Sequence, residues 1–112
     1  MAHEKTVKQL QREVDEYISQ FKEGYFTPLE MIARLTEELG ELAREVSHVY
    51  GPKKKKTSEA EASISEEMGD LLFVLITMAN SLDIDLADAH DGVLAKFQSR
   101  DVNRWTRKDE GK

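Results

Sequence analysis

An all-α bundle of four to five helices is the fold this chain predicts, and three observations predict it. Apolar residues recur at steps of three and four along most of its length, the spacing of one helical face. Three of those segments are preceded by a capping residue with an acid three positions on: Thr27 with Glu30, Ser63 with Glu66, and Asp85 with Asp88. Charged residues make up 34% and aromatics 7%, a mixture suited to helices with solvated outer faces. The 112 residues read as one domain, with a core over 5–100 and a charged tail over 101–112.

Val7, Leu10, Val14, Tyr17, Ile18 and Phe21 mark a first helix over 5–22, ended by Gly24. The short connector Gly24-Tyr25-Phe26-Thr27 carries two adjacent aromatics. Thr27-Pro28-Leu29-Glu30 opens a second helix that runs to about Val49, with Leu35, Leu39, Leu42, Val46 and Val49 as its apolar stripe. Tyr50-Gly51-Pro52 breaks it. The lysine run Lys53 to Lys56 then reads as a solvated loop.

The third helix spans 64–82 and is apolar nearly all round from Leu71 to Ala79. Such a helix needs cover on several sides, and four short helices cannot supply it. A homo-oligomer follows as the expectation, tetramer before dimer, with this helix near the subunit interface. The fourth helix starts at Asp85 and runs through Phe97.

The net charge of −6 argues against a nucleic-acid polymer as partner. The absence of cysteine excludes zinc-thiolate sites, disulfides and Cys nucleophiles. The first residues are polar and lack the apolar stretch of a signal peptide. The densest apolar run, Leu71 to Ile76, is too short to span a bilayer. The expectation is a soluble cytoplasmic protein with no membrane partner.

Two acidic motifs organise the rest: Glu37-Glu38-Leu39-Gly40-Glu41 and Glu66-Glu67-Met68-Gly69-Asp70. Residues three apart share a helical face, so Glu38 pairs with Glu41 and Glu67 with Asp70. The stripe Glu38, Glu41 and Glu45 lies about 100° round from the expected apolar stripe, so the acids border the core. The twenty-five residues between Glu41 and Glu67 suffice to turn one helix back on the next. Four carboxylates gathered this way repel, and either protonation or a bound cation must relieve them. Oxygen ligands without sulfur select hard cations, Mg²⁺ or Mn²⁺, which in turn suit phosphate chemistry. The plainer alternative is an acid-rich solvated face.

Glu37-Glu38-Leu39-Gly40-Glu41 followed by Glu67-Met68-Gly69-Asp70-Leu71-Leu72-Phe73 resembles the MazG-like nucleoside triphosphate pyrophosphohydrolases, whose pattern is EExxE, a gap, then ExxD. The resemblance covers roughly residues 28–100 and lies closest to the small, single-module, dCTPase-like branch. It implies an all-α NTP pyrophosphatase fold and Mg²⁺-dependent hydrolysis of NTPs or dNTPs to monophosphate and pyrophosphate, for nucleotide-pool housecleaning. It implies Glu38, Glu41, Glu67 and Asp70 as metal ligands, with Glu37 as a further acid that holds an ion or orients water. Glu37 or Glu41 is then the candidate base. Lys96 and Arg100 match the family's phosphate-binding stretch on the last helix. Leu94 stands where many members have Asn, a contact that Asn80 or Thr77 could replace. Tyr25 and Phe26, with Phe21, match the branch's base-clasping aromatics, and His48 or Tyr50 a second set. Phe21 otherwise reads as core and His48 as a surface histidine.

Two rival readings stand beside this one. A di-iron carboxylate bundle needs a Glu-x-x-His motif on each of two helices, and the chain has one, Glu45-Val46-Ser47-His48. A non-catalytic helical oligomer could instead use its acids to bind basic partners.

Overall fold

The computed structural model describes residues 4–52 and 63–108, which hold four helices and no strand. The expectations for the Lys53–Lys56 run lie outside the described residues. α1 (Val7–Ile18) starts from a capping box: Gln9 N–H donates to Thr6 Oγ1 at 3.1 Å and Thr6 N–H to Gln9 Oε1 at 2.7 Å. It is shorter than the apolar spacing predicts. After Ile18 the bonds tighten to three-residue steps, Gln20 N–H to Tyr17 O and Phe21 N–H to Ile18 O, and Gly24 turns the chain at φ +60°. Phe21 therefore sits on a turn, largely exposed, with its ring edge-on to Tyr17 at 5.4 Å.

α2 (Pro28–Tyr50) begins at the expected capping box, with Thr27 and Glu30 bonded reciprocally. Those bonds hold the Glu30 carboxyl below its usual range. At α3 (Ile64–Ser81) the Ser63 hydroxyl accepts from Glu66 N–H at 2.9 Å. α4 (Leu86–Arg100) is capped by Asp85 and runs one turn past its expected end.

α2 and α3 form the main helix pair and lie antiparallel: Met31 meets Ser81 at one end, and Glu45 bears on Glu67 at the other. α1 packs along α3, and α4 packs on α1. A polar clip ties three of them. Gln11 Nε2 donates to Asn80 Oδ1 and to Ile84 O, both at 2.9 Å, and Gln11 Oε1 accepts from Leu86 N–H at 3.0 Å. Asn80 Nδ2 donates to Gln11 O and to the Tyr25 hydroxyl, which itself donates to Asp15 at 2.7 Å. Burial and the Asp15 bond push the Tyr25 hydroxyl up to about 12.

The inward face of α2 is not the expected leucine stripe. Met31, Leu35, Glu38, Leu42 and Glu45 turn toward the chain's interior, whereas Leu39, Val46 and Val49 face outward. On α3 one inward set is Glu67, Leu71, Val74 and Met78, with Ile76 and Ala79 also buried and Met68, Leu72 and Leu75 exposed. Both inward sets follow the alternating three-and-four spacing of a helix seam. Acids occupy seam positions, and apolar residues are displaced to the outside. The chain is also open, with a radius of gyration of 18.3 Å against about 13 Å for a compact chain of this length.

Candidate metal centre

The acidic half of the α2–α3 seam gathers three carboxylates. Glu38, Glu67 and Asp70 each bring an oxygen within 4.8 Å of the others. Glu67 is buried, Glu38 half-buried and Asp70 exposed, so the cluster is deep on one side and open on the other. α2 supplies Glu38 from the seam position one turn below Leu42. α3 supplies Glu67 and Asp70 three residues apart, on one face of its first turns.

The electrostatics match that geometry. Desolvation first, then the charges of Glu41 and Asp70, raise the Glu38 carboxyl above its usual range, with Arg34 opposing. Desolvation, Glu41, Asp70, Glu38 and Glu45 raise Glu67. Glu38 Oε2 and Glu67 Oε2 are buried without a hydrogen-bond partner among the described residues. A buried, unsatisfied carboxylate oxygen is costly, and a cation between these groups removes both the repulsion and the missing bonds. The donor set is all oxygen, which fits Mg²⁺ or Mn²⁺.

Glu41 is exposed and outside the group of three, yet its charge is the strongest neighbouring one on both Glu38 and Glu67. Glu37 lies further out, lining a shallow depression with Gly40, Glu41 and Arg44. Glu45 is buried deeper in the same seam, and Glu45 Oε2 lies 3.6 Å from His48 Nδ1. No histidine joins the carboxylate group among the described residues, so the arrangement lacks what a di-iron centre requires.

A second feature opens beside the first. A cavity of about 260 Å³ is lined by Tyr17, Phe21, Phe26, Arg34, Phe73 and Thr77, among others. Arg34 both lines it and bears on Glu38 one turn along α2, so cavity and carboxylates are neighbours. Phe26 lies in that lining. Tyr25 and Asn80 are bonded to each other in the polar clip instead. His48 is 17 positions beyond Met31 on α2, about 25 Å along the axis, so Phe26 and His48 stand at opposite ends of the seam. Lys96 and Arg100 are exposed on α4, where both sit over the Phe97 ring, at 5.6 and 4.5 Å from its centroid. Arg100 also pairs with Asp101 at 3.0 Å.

Sequence reasoning passed over Arg34, set Glu45 at the border of the core rather than within it, and gave Phe73 no part in the site. Arg34 was findable as the residue four before Glu38. The seam position of Glu45 was legible in the run Met31, Leu35, Glu38, Leu42, Glu45, had acids been admitted to a core stripe.

Residues 26–105 match the MazG nucleotide pyrophosphohydrolase domain. The chain is 66% identical over 109 residues to YpjD of Bacillus subtilis (strain 168), a protein described as uncharacterised, and the match covers 97% of this chain and 98% of that one. The crystal structure of B. subtilis YpjD superimposes with a TM-score of 0.78 at 65% identity, over 87% of this chain and 98% of the other. That of the Bacillus-conserved MazG protein, a nucleotide pyrophosphohydrolase, gives 0.76 at 56% identity, over 96% and 99%. No helix among the described residues is long and apolar enough to cross a membrane.

Proposed function

Because this chain belongs to the MazG nucleotide pyrophosphohydrolase family, we propose that it hydrolyses (d)NTPs to (d)NMPs and pyrophosphate, in cytoplasmic nucleotide-pool housecleaning, as a single helical domain within a homo-oligomer. The observation that carries this is the convergence of Glu38, Glu67 and Asp70 with two buried oxygens left unpaired. Glu38, Glu67 and Asp70 would hold Mg²⁺, or Mn²⁺ in its place, with Glu41 at the margin. A divalent ion there neutralises triphosphate charge and makes a water more acidic.

The side chains divide the remaining work. Exposed Glu41 or Glu37 takes the proton of the water that attacks at the α–β bridge, and pyrophosphate leaves. Lys96 and Arg100 offset the charge that builds on the phosphates. Phe26, with Phe21 and Tyr17, gives the base an apolar seat beside Arg34, where stacking holds it. Tyr25 and Asn80 support that seat by fixing the connector against α1 and α3. His48 lies far from this seat in its own chain, so a contact between His48 and the base has to come from another copy. The exposed stripe on α3 supports the oligomer.

Pyrophosphate release from a panel of NTPs and dNTPs, with Mg²⁺ and again with a chelator, tests the reading. Metal-dependent release from at least one nucleotide is expected. Silence across the panel contradicts it and favours a non-catalytic binding module.

A further inference from the structure

We propose that Glu23 makes the base seat selective for guanine; the inference rests on the pyrophosphohydrolase reading above and adds the base that the site prefers. The cavity of about 260 Å³ has aromatic walls, with Tyr17 edge-on to Phe21 at 5.4 Å and to Phe73 at 6.2 Å. Its charged lining residues are Glu23 and Arg34. These opposite charges share one cavity, yet neither side chain has a hydrogen bond or ion pair among the described residues. The Thr77 hydroxyl also lines the cavity. Its proton is committed to Phe73 O at 2.8 Å, so towards a guest Thr77 can only accept.

The turn that carries Glu23 is pinned on both sides. Gly24 N–H donates to Phe21 O, and Gly24 itself adopts φ +60°, which a residue with a side chain rarely takes. One residue on, the Tyr25 hydroxyl ties the connector to Asp15 and Asn80. A carboxylate offered from such a turn can take two parallel N–H bonds from guanine, whose N1–H and C2 amine stand side by side. Adenine and cytosine set a bare ring nitrogen, an acceptor, next to their amine. Uracil and thymine flank their one N–H with carbonyls. Each of these leaves a carboxylate oxygen facing a lone pair, unpaired and repelled. Guanine alone among the common bases satisfies both oxygens, and its O6, beside N1–H, is an acceptor for the Arg34 guanidinium. A site with a charged acceptor rejects a base that lacks the matching donor more strongly than an apolar seat can by shape.

Pyrophosphate release with Mg²⁺, read as kcat/KM for wild type and Glu23→Gln, tests this on GTP, dGTP, ATP, CTP and inosine triphosphate. The last is GTP without the C2 amine, so it removes one bond to Glu23 and little else. Wild type should favour GTP and dGTP over it by about ten- to a hundredfold, the range of one hydrogen bond to a charged group. Glu23→Gln should erase that preference and favour xanthosine triphosphate, whose carbonyl at the same position accepts from the new amide. A merely structural Glu23 would lower every nucleotide together. Wild type that turns over GTP and inosine triphosphate alike, or a variant that loses equally on all, overturns the proposal. A wild type silent on the whole panel sinks the enzymatic reading instead. Calorimetric titration of the metal-free protein with guanosine and inosine then decides the seat. Tighter guanosine binding that Glu23→Gln abolishes supports the assignment, and equal affinity, or no binding of either, overturns it.

Discussion

The two halves of the α2–α3 seam share one backbone geometry and carry opposite chemistry. Toward the start of α2 the seam is filled by Met31, Leu35, Val74 and Met78, with Met31 almost wholly buried and Ser81 Oγ on its sulfur at 3.8 Å. Toward the end of α2 the equivalent positions hold Glu38, Glu45 and Glu67. The first half gains from burial what a core gains. The second half gives that up and adds repulsion among its carboxylates. The difference teaches that the apolar half holds the helix pair together while the acidic half keeps ligand oxygens in place. On the proposed function, a cation bound between these carboxylates would offset that cost.

Glu67→Gln breaks the comparison most sharply. It removes a buried carboxylate proposed to hold the ion and a repelling charge together, so pyrophosphate release should fall about a hundredfold or more. The same variant, melted in chelator, should be more stable than the wild type. Met31→Ala does the reverse. It opens a cavity in the apolar half and should cost about 2–4 kcal/mol by urea titration, while the protein that remains folded keeps its response to metal.

A smaller effect is the pH dependence of the metal-free protein. Glu38 and Glu67 have folded carboxyls raised by burial and by Glu41 and Asp70. A raised acid binds more protons folded than unfolded, so its contribution to stability is lost as pH rises through the folded value. In chelator the melting temperature should therefore climb as pH falls through these raised carboxyls toward the ordinary carboxylate range, and added Mg²⁺ should flatten or reverse the slope. Glu30, whose carboxyl is lowered, contributes stability that is lost on acidification, with the opposite sign. Calorimetric scans at several pH values, with and without Mg²⁺, check this. The smallest effect is expected far from the acids. Tyr25→Phe leaves Asp15 and Asn80 short of a partner and should cost about 1 kcal/mol with no change in metal response.

The four helices and three of their caps were legible in the sequence, because capping and apolar spacing are local signals. Thr6 with Gln9 was equally local and was passed over in favour of a longer run. The false extension of α1 to Phe21 shows the limit: the same spacing continues through a turn, and only the backbone tells turn from helix. The convergence of Glu38, Glu67 and Asp70 was legible in part: three-residue spacing sets Glu67 beside Asp70 on α3, whereas Glu41, the expected partner of Glu38 on α2, stays outside the group. The depth of these acids was not legible. A rule that places leucines inward chose Leu39 and Val46, whereas the seam turned Glu38 and Glu45 inward and left those apolar residues for an outer surface. The placement of Lys96 and Arg100 depends on how α4 leaves α3, which no local pattern encodes.

The most direct test of the central claim is the melting temperature of wild type and Glu67→Gln over a Mg²⁺ titration. Binding to the folded state alone raises stability with the logarithm of ligand concentration. The wild type should rise steadily with Mg²⁺ from a chelated baseline below that of the variant, and the variant should stay flat. Two curves that move together, or neither moving, would contradict a cation seat in the acidic half of the seam.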